Sequence, residues 1–323
     1  MSMKIVAGIG SIDDYEDFVR AGADECFCGY VPGEYMIKYG RSYPANRREV
    51  IYYNVQIGSE SELLILKKMI ERHRVPVSIA FNGLYYGEEQ RKYILETAKK
   101  CVEMGYTDFI VAEPELLCRM GDIEGARLTV SGELGELNEG VIRAVKETKV
   151  RRYIYPRQTS IEEMALLGKV LKEDCEAMEA EAFVLNEKCH FTGAYCNSLH
   201  CDELCHMCKV PYRLCRRDEG VSDSKYMHSN SMGTEEGIVG ATGCALCLLW
   251  QYREAGVTHL KVVSRGNASE ATCEDIRVLR RALDILEECG SEQEYKERLF
   301  AEVLMKGCSG NCYTRRYDNL SLR

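Results

Sequence analysis

The chain has 323 residues, 46% of them hydrophobic and 29% charged, and a net charge of −9. This is the composition of a globular protein with a large core, and its acidic balance disfavours broad contact with a nucleic-acid backbone, which needs clustered lysine and arginine. No apolar run reaches the roughly 18 residues of a membrane span and no signal peptide precedes the first strand, so we expect no membrane association and a cytoplasmic location.

A unit of helix, glycine and strand recurs three times, at residues 18–29, 101–112 and 252–263. The glycine of each unit suits the left-handed conformation that ends a helix. The β-branched or aromatic run that follows it is typical of a buried strand. Strands that alternate with helices in this way indicate a parallel α/β fold.

The sequence contains eight strand candidates, most of them separated by helical patterns. They are Lys4–Gly8, Glu25–Gly29, Pro76–Phe81, Asp108–Ala112, Arg127–Ser131, Arg152–Tyr155, Glu179–Leu185 and His259–Ser264. Eight parallel strands in a chain of this length predict an α/β fold of the (β/α)8 TIM-barrel type. An open doubly wound sheet is the alternative, but Gly8-Ile9-Gly10 only begins the glycine fingerprint that such a sheet would show.

The predicted organisation is one barrel domain followed by a short tail. The barrel covers residues 1–305 and includes a cysteine-rich insertion at residues 189–247, directly after the seventh strand. The tail covers residues 306–323 and carries Cys308 and Cys312. Active sites of TIM-barrel enzymes lie at the C-terminal ends of the strands. The insertion follows a strand directly, so it stands where an active site is expected.

Seventeen cysteines are far more than a chain of this length usually has. In a reducing cytosol, clustered cysteines indicate metal rather than disulfides. We interpret four scattered ones, Cys101, Cys118, Cys175 and Cys289, as small buried side chains. The candidate metal ligands are Cys189, Cys196, Cys201, Cys205, Cys208, Cys215, Cys244, Cys247, Cys308 and Cys312.

The spacing of the clustered cysteines favours an iron–sulfur cluster over zinc. Six residues separate Cys189 from Cys196, a wider gap than in zinc hairpins, and thiols are in excess. Zinc, or reduced cysteines without metal, are the alternatives. The run from Cys201 to Cys208 has the C-x3-C-x2-C spacing of radical S-adenosylmethionine enzymes. In those enzymes the motif normally follows the first barrel strand, whereas seven candidate strands precede it here.

Polar and thiol side chains stand at the ends of other strands and are candidates for a site. They are Cys26, Cys28, Asn82, Glu113, Glu133, Arg157 and Arg265. Each could instead belong to a structural ion pair. We choose Glu181, Arg157 and Arg265 as candidate catalytic residues that position an anionic substrate.

Four stretches of the chain resemble peptidase family U32, the collagenase-like peptidases. They are AGADECFCG, YPRQTSIEEM, EAFVLNEKCHFTGAYC and CALCLLWQYREAGVTHLKVVSRGN. The resemblance implies a barrel-like fold with one 4Fe-4S cluster. The cysteines at the family's ligand positions are Cys189, Cys196, Cys215 and Cys247, with Cys208 and Cys244 competing for the last two places.

The resemblance also implies a class of chemistry. Characterised relatives are similar to oxygen-independent hydroxylation proteins that act on RNA bases or a quinone precursor. We therefore expect an iron–sulfur enzyme that performs redox, hydroxylation or group-transfer chemistry on a small or anionic substrate. The surplus cysteines allow a second cluster.

The alternatives are a non-catalytic iron–sulfur subunit with a protein partner, and a peptidase. The chain departs from the family at Gln158, where an acid usually follows the Pro-Arg pair.

Overall fold

Eight parallel strands close into a barrel in the order of the sequence, with β8 paired to β1. The structure, a computed structural model, describes residues 2–39, 45–47, 55–135, 138–173, 178–189, 196, 239–307 and 310–313. The strands are β1 Lys4–Gly8, β2 Glu25–Gly29, β3 Val77–Phe81, β4 Asp108–Val111, β5 Arg127–Val130, β6 Val150–Ile154, β7 Glu179–Leu185 and β8 His259–Val262. The predicted (β/α)8 fold is confirmed.

Helices follow the strands and surround the barrel. They are α1 Ile12–Ala21, α2 Gly33–Tyr39, α3 Glu60–His73, α4 Glu88–Glu103, α5 Pro114–Met120, α6 Glu139–Lys146, α7 Ile161–Glu173, α8 Leu249–Glu254, α9 Ser269–Glu288 and α10 Glu292–Glu302. No helix in the described ranges is long and apolar enough to cross a membrane.

Local sequence signals explain where these elements begin and end. The three predicted helix-ending glycines, Gly22, Gly105 and Gly256, have φ values of 115°, 92° and 81°. Ser160 begins α7 as predicted, because its hydroxyl accepts the backbone N–H of Glu163 while the Glu163 carboxylate accepts that of Ser160.

The sixth strand begins two residues earlier than its predicted start at Arg152. Lys149 adopts a left-handed conformation with a φ of 59°, which turns the chain out of the preceding helix. Val150 then pairs at once with Leu128 of β5. The short β-branched residue suits the strand, but an isolated valine after a helix gives little signal in the sequence.

Two of the four scattered cysteines are buried as predicted and one is not. Cys101 and Cys289 are buried, whereas Cys118 is exposed on α5, so its prediction was wrong. α5 buries Leu116, Leu117 and Met120 and leaves Cys118 on the opposite face. Cys175 lies outside the described residues.

A close approach between α7 and the residue that ends α8 depends on one glycine. A β-carbon at Gly168 would lie well inside van der Waals contact with the Ala255 carbonyl oxygen. We expect Gly168→Ala to lower the free energy of unfolding by about 1–3 kcal/mol, because the backbone would have to move. Urea denaturation measures this change. The control is Gly33→Ala, because no atom lies within 4 Å of a β-carbon added at Gly33 and no loss of stability is expected. Equal stability of the two variants would contradict the steric argument.

Candidate functional site

The C-terminal mouth of the barrel contains a cleft of about 570 Å³, part of it open solvent. Its lining combines inward-facing strand residues with residues that follow the strands. The lining residues are Phe27, Arg47, Ala80, Asn82, Ile110, Ser131, Gly132, Glu133, Ile154, Arg157, Phe183, Glu187, Lys261, Val263, Ser264 and Arg265. Four basic side chains and two carboxylates are among them, which makes the cleft attractive to an anion.

Four of the residues predicted at strand ends line this cleft: Asn82, Glu133, Arg157 and Arg265. Three do not. Cys26 and Cys28 flank the inward-facing Phe27 on β2, so their side chains point to the other face of the sheet. Glu113 caps α5, where its carboxylate accepts the backbone N–H of Leu116 at 2.6 Å.

Two arginines share one buried carboxylate on one side of the mouth. Nε of Arg47 lies 3.4 Å from Glu133, and Nη1 of Arg157 lies 3.2 Å from the other oxygen of that carboxylate. Burial alone would lower the pKa of Arg157, but the attraction of Glu133 raises it above its ordinary value. The Arg157 guanidinium therefore remains charged beside the cleft.

Aromatic rings support the same side of the mouth. The guanidinium of Arg157 lies 4.2 Å over the ring of Phe183, and Tyr313 stacks against that ring at 6.3 Å between centroids. The Tyr313 hydroxyl donates to the carbonyl oxygen of Asn186. A residue of the predicted C-terminal tail thus packs against a ring that lines the cleft.

Arg265 occupies the opposite side, over the ends of β1 and β2. Its Nη1 donates to the side-chain oxygen of Asn46 at 3.2 Å. A β-carbon at Gly29 would lie 2.8 Å from Nη1 of Arg265 and 2.7 Å from Nδ2 of Asn46. The absence of a side chain at Gly29 therefore makes room for this pair.

Lys261 forms the floor of the cleft. Its Nζ lies 2.7 Å from Oε1 of Glu181 and 3.6 Å from the centroid of the Phe27 ring. Burial lowers the pKa of Lys261, against the attraction of Glu181. Glu181 is 1% exposed and lies beneath the floor rather than in the lining. The structure thus places the predicted Glu181 one contact away from the cleft.

A network of buried charges continues below Glu181 to the N-terminal end of the barrel. Arg152 lies 3.1 Å from Glu181 and 2.8 Å from Glu25, which in turn lies 3.1 Å from His259. Burial alone would raise the pKa of Glu25, but hydrogen bonds from His259 and Arg152 hold it well below its ordinary value. Barrel interiors usually contain branched aliphatic residues, so this ionic interior is unusual.

Three short backbone segments form a small sheet beside the cleft. Leu185, the last residue of β7, pairs antiparallel with Cys244, and the next residue, Asn186, donates its backbone N–H to the Gly243 carbonyl oxygen at 2.9 Å. Cys244 also pairs in parallel with Cys312, flanked by two backbone hydrogen bonds of 3.0 Å. The sheet therefore brings together cysteines that are 68 positions apart in the chain.

The cysteines of the insertion are tied to the barrel through their backbone. Gln158 donates to the carbonyl oxygen of Cys189 at 2.9 Å, and Arg47 donates to that of Cys196 at 2.8 Å. Sγ of Cys244 accepts the backbone N–H of Leu246 at 3.5 Å, a contact that would stabilise a thiolate. Cysteine thiolates are the usual ligands of iron–sulfur clusters, and these contacts hold the backbone of Cys189 and Cys196 near the mouth.

The predicted ligand set is only partly within the described residues. Cys189, Cys196, Cys244, Cys247 and Cys312 are described, while the remaining candidates, Cys201, Cys205, Cys208, Cys215 and Cys308, lie outside. Among the described residues, no group of three histidine, cysteine, aspartate or glutamate side chains is placed to hold a metal ion.

Sequence reasoning missed three residues of this site: Arg47, Lys261 and Tyr313. Lys261 could have been found, because it stands within β8 at a position facing the barrel axis, where a lysine is uncommon. Arg47 and Tyr313 lie in connecting segments with no periodic pattern, so their place depends on the folded chain.

Comparisons with known proteins identify the family of the chain. The profile of Peptidase family U32 matches residues 10–318. The chain belongs to peptidase family U32. A solved U32 peptidase, Mk0906, is 11% identical with a TM-score of 0.43, over 57% of this chain and 70% of the other.

A second solved structure is that of 2,3-dimethylmalate lyase, a member of the PEP mutase/isocitrate lyase superfamily. It is 10% identical to this U32 chain with a TM-score of 0.40, and the alignment covers 94% of this chain and 92% of the lyase. No curated protein matched the chain.

Proposed function

We propose that this U32 protein is an iron–sulfur enzyme that performs redox, oxygen-independent hydroxylation or group-transfer chemistry on a small anionic substrate. One observation carries the proposal: the cysteine insertion is anchored to the residues that form the basic cleft. Arg47 contacts both Glu133 in the cleft wall and the carbonyl oxygen of Cys196. Gln158, next to Arg157, contacts the carbonyl oxygen of Cys189.

The proposed cluster would be held by Cys189, Cys196, Cys215 and Cys247. Cys201, Cys205, Cys208, Cys244, Cys308 and Cys312 are candidates for a second one. When bound, a cluster supplies electron transfer or, with an open iron, Lewis-acid activation of an oxygen- or sulfur-bearing group.

The protein's own residues would bind and orient the substrate. Arg47, Arg157 and Arg265 offer guanidinium groups that recognise a carboxylate or phosphate oxygen pair. Phe27 and Phe183 supply apolar wall area against which a bound molecule can pack. Glu181, which contacts both Lys261 and Arg152, fixes the position of the ammonium group at the floor.

Anaerobic purification with iron, zinc and acid-labile sulfide analysis tests the proposal. We expect about four irons per chain with matching sulfide for one cluster, and about eight for two. EPR of the reduced protein identifies the cluster type. Zinc without sulfide would overturn the proposal.

Two other functions make different predictions. A non-catalytic iron–sulfur subunit would co-purify with a stable partner and show no turnover alone. The peptidase function rests on the family's name; the sequence contains no HExxH motif. Peptide cleavage by the pure protein, abolished by chelation, would favour it over the proposed chemistry.

A further inference from the structure

The floor of the cleft carries an amine that the proposed function has not used. Lys261 is 6% exposed, and its side chain is one of those that line the cleft. Its ammonium group lies over the face of Phe27, at 3.6 Å from the centroid. A lysine in this position is held on an apolar surface and faces the space that a ligand would occupy.

The surroundings of Lys261 are those of a reactive amine. A carboxylate oxygen of Glu181 lies 2.7 Å from Nζ and fixes the position of the amine at the floor. Burial alone would raise the pKa of Glu181, but the attraction of Lys261 and Arg152 lowers it, so Glu181 remains a carboxylate. Burial lowers the pKa of Lys261, and the positive charges of Arg152 and Arg265 lower it further. A lower pKa favours the neutral amine, which is the form that acts as a nucleophile. The attraction of Glu181 opposes this effect without cancelling it.

The walls above the amine carry three arginines, a type of side chain that can bind a carboxylate in a bidentate manner. Arg47 and Arg157 lie on one side and Arg265 on the other, and Glu133 and Glu187 are the acidic residues of the lining. A ligand with a carboxylate among the arginines would direct its neighbouring carbon towards the floor. When that carbon is a carbonyl, it meets the amine.

We propose that Lys261 forms an imine with a small 2-oxo acid whose carboxylate is bound by the arginines of the cleft. This inference rests on the proposed function in one respect only, namely that the cleft binds small anions. It is independent of the number of clusters and of their ligands.

The step balances without an oxidant or reductant. The Lys261 ammonium gives one proton to a water molecule in the cleft, and the free amine adds to the carbonyl carbon. A proton passes from the nitrogen to the oxygen to form a carbinolamine. The hydroxyl of the carbinolamine takes a proton from water and leaves as water while the C=N bond forms. Ammonium and ketone thus become iminium and water, with no net gain or loss of protons.

Reductive trapping of the purified protein tests the proposal. The protein is incubated anaerobically with pyruvate and sodium borohydride, and the modified lysine is located by peptide mass spectrometry. We expect one reduced pyruvate adduct at Lys261. Lactate has the carboxylate but no ketone, so it should compete with pyruvate and reduce the labelling. Acetone has the ketone but no carboxylate, so it should label Lys261 at least about tenfold less than pyruvate does.

Three variants separate the imine from a structural role. Lys261→Arg keeps a cation beside Glu181, so it should retain the wild-type melting temperature and lose the adduct. Arg157→Gln should keep Lys261 and require about tenfold to hundredfold more pyruvate for the same labelling. Arg277→Gln, an exposed position, and Lys99→Arg, an exposed lysine of α4, should both label like wild type.

The same samples distinguish failure of the imine from failure of the proposed function. Stabilisation of the wild type by pyruvate and lactate, without an adduct at Lys261, would overturn the imine and retain the anion site. Labelling spread over exposed lysines and unchanged in Lys261→Arg would also overturn it. Labelling of Lys261 in a preparation without iron would support the imine and remove the cluster.

Discussion

Cys189→Ser is expected to lower the iron bound per chain about tenfold or more. Mutation of a residue that only hydrogen-bonds to a metal ligand typically lowers metal affinity by about 10- to 100-fold. Cys189→Ser removes a proposed ligand itself, so its effect should be at least as large. The measurement is iron and acid-labile sulfide per chain after anaerobic desalting. Cys196→Ser should behave alike, because its segment is anchored to the cleft through Arg47.

The matched control for this prediction is Cys118→Ser. Cys118 is exposed on α5 and lies outside the cysteine insertion, so its replacement should leave iron and sulfide unchanged. Wild-type iron content in Cys189→Ser would remove this residue from the ligand set. An equal loss in both variants would mean that the assay reports general damage rather than ligand removal.

Arg152→Met is expected to lower the free energy of unfolding by about 3–5 kcal/mol. Arg152 is 2% exposed and lies between the carboxylates of Glu25 and Glu181. Methionine has similar bulk but leaves these buried charges without their shared partner. Urea denaturation followed by circular dichroism measures the loss. Arg277→Met, at an exposed ion pair, should change stability by no more than about 0.5 kcal/mol.

The loss in Arg152→Met should also depend on pH. The pKa of Glu25 is depressed in the folded protein, so its ionised form stabilises the fold above the ordinary glutamate value of 4.5, and this contribution is lost as the pH falls. The difference between wild type and Arg152→Met should therefore be largest above pH 4.5 and shrink below it. A difference that grew on acidification would contradict the assigned role of Arg152.

The sequence by itself determined the barrel, because the signals that specify it are local. Helix-ending glycines, capping residues and apolar periodicity act within a few residues, and all eight strands were found within two residues of their starts. Barrel closure then places the strand ends together, so Asn82, Glu133, Arg157 and Arg265 could be assigned to the mouth without coordinates.

Only the tertiary structure decided how the site is completed. Glu181 and Lys261 are 80 positions apart, and their pairing depends on the neighbouring positions of β7 and β8 in the closed barrel. Arg47 and Tyr313 come from connecting segments whose contacts no periodicity encodes. The pairing of Cys244 with Cys312 likewise depends on a small sheet built from three distant segments. Long-range contacts of this kind are fixed by packing and buried charge, which act only once the chain has folded.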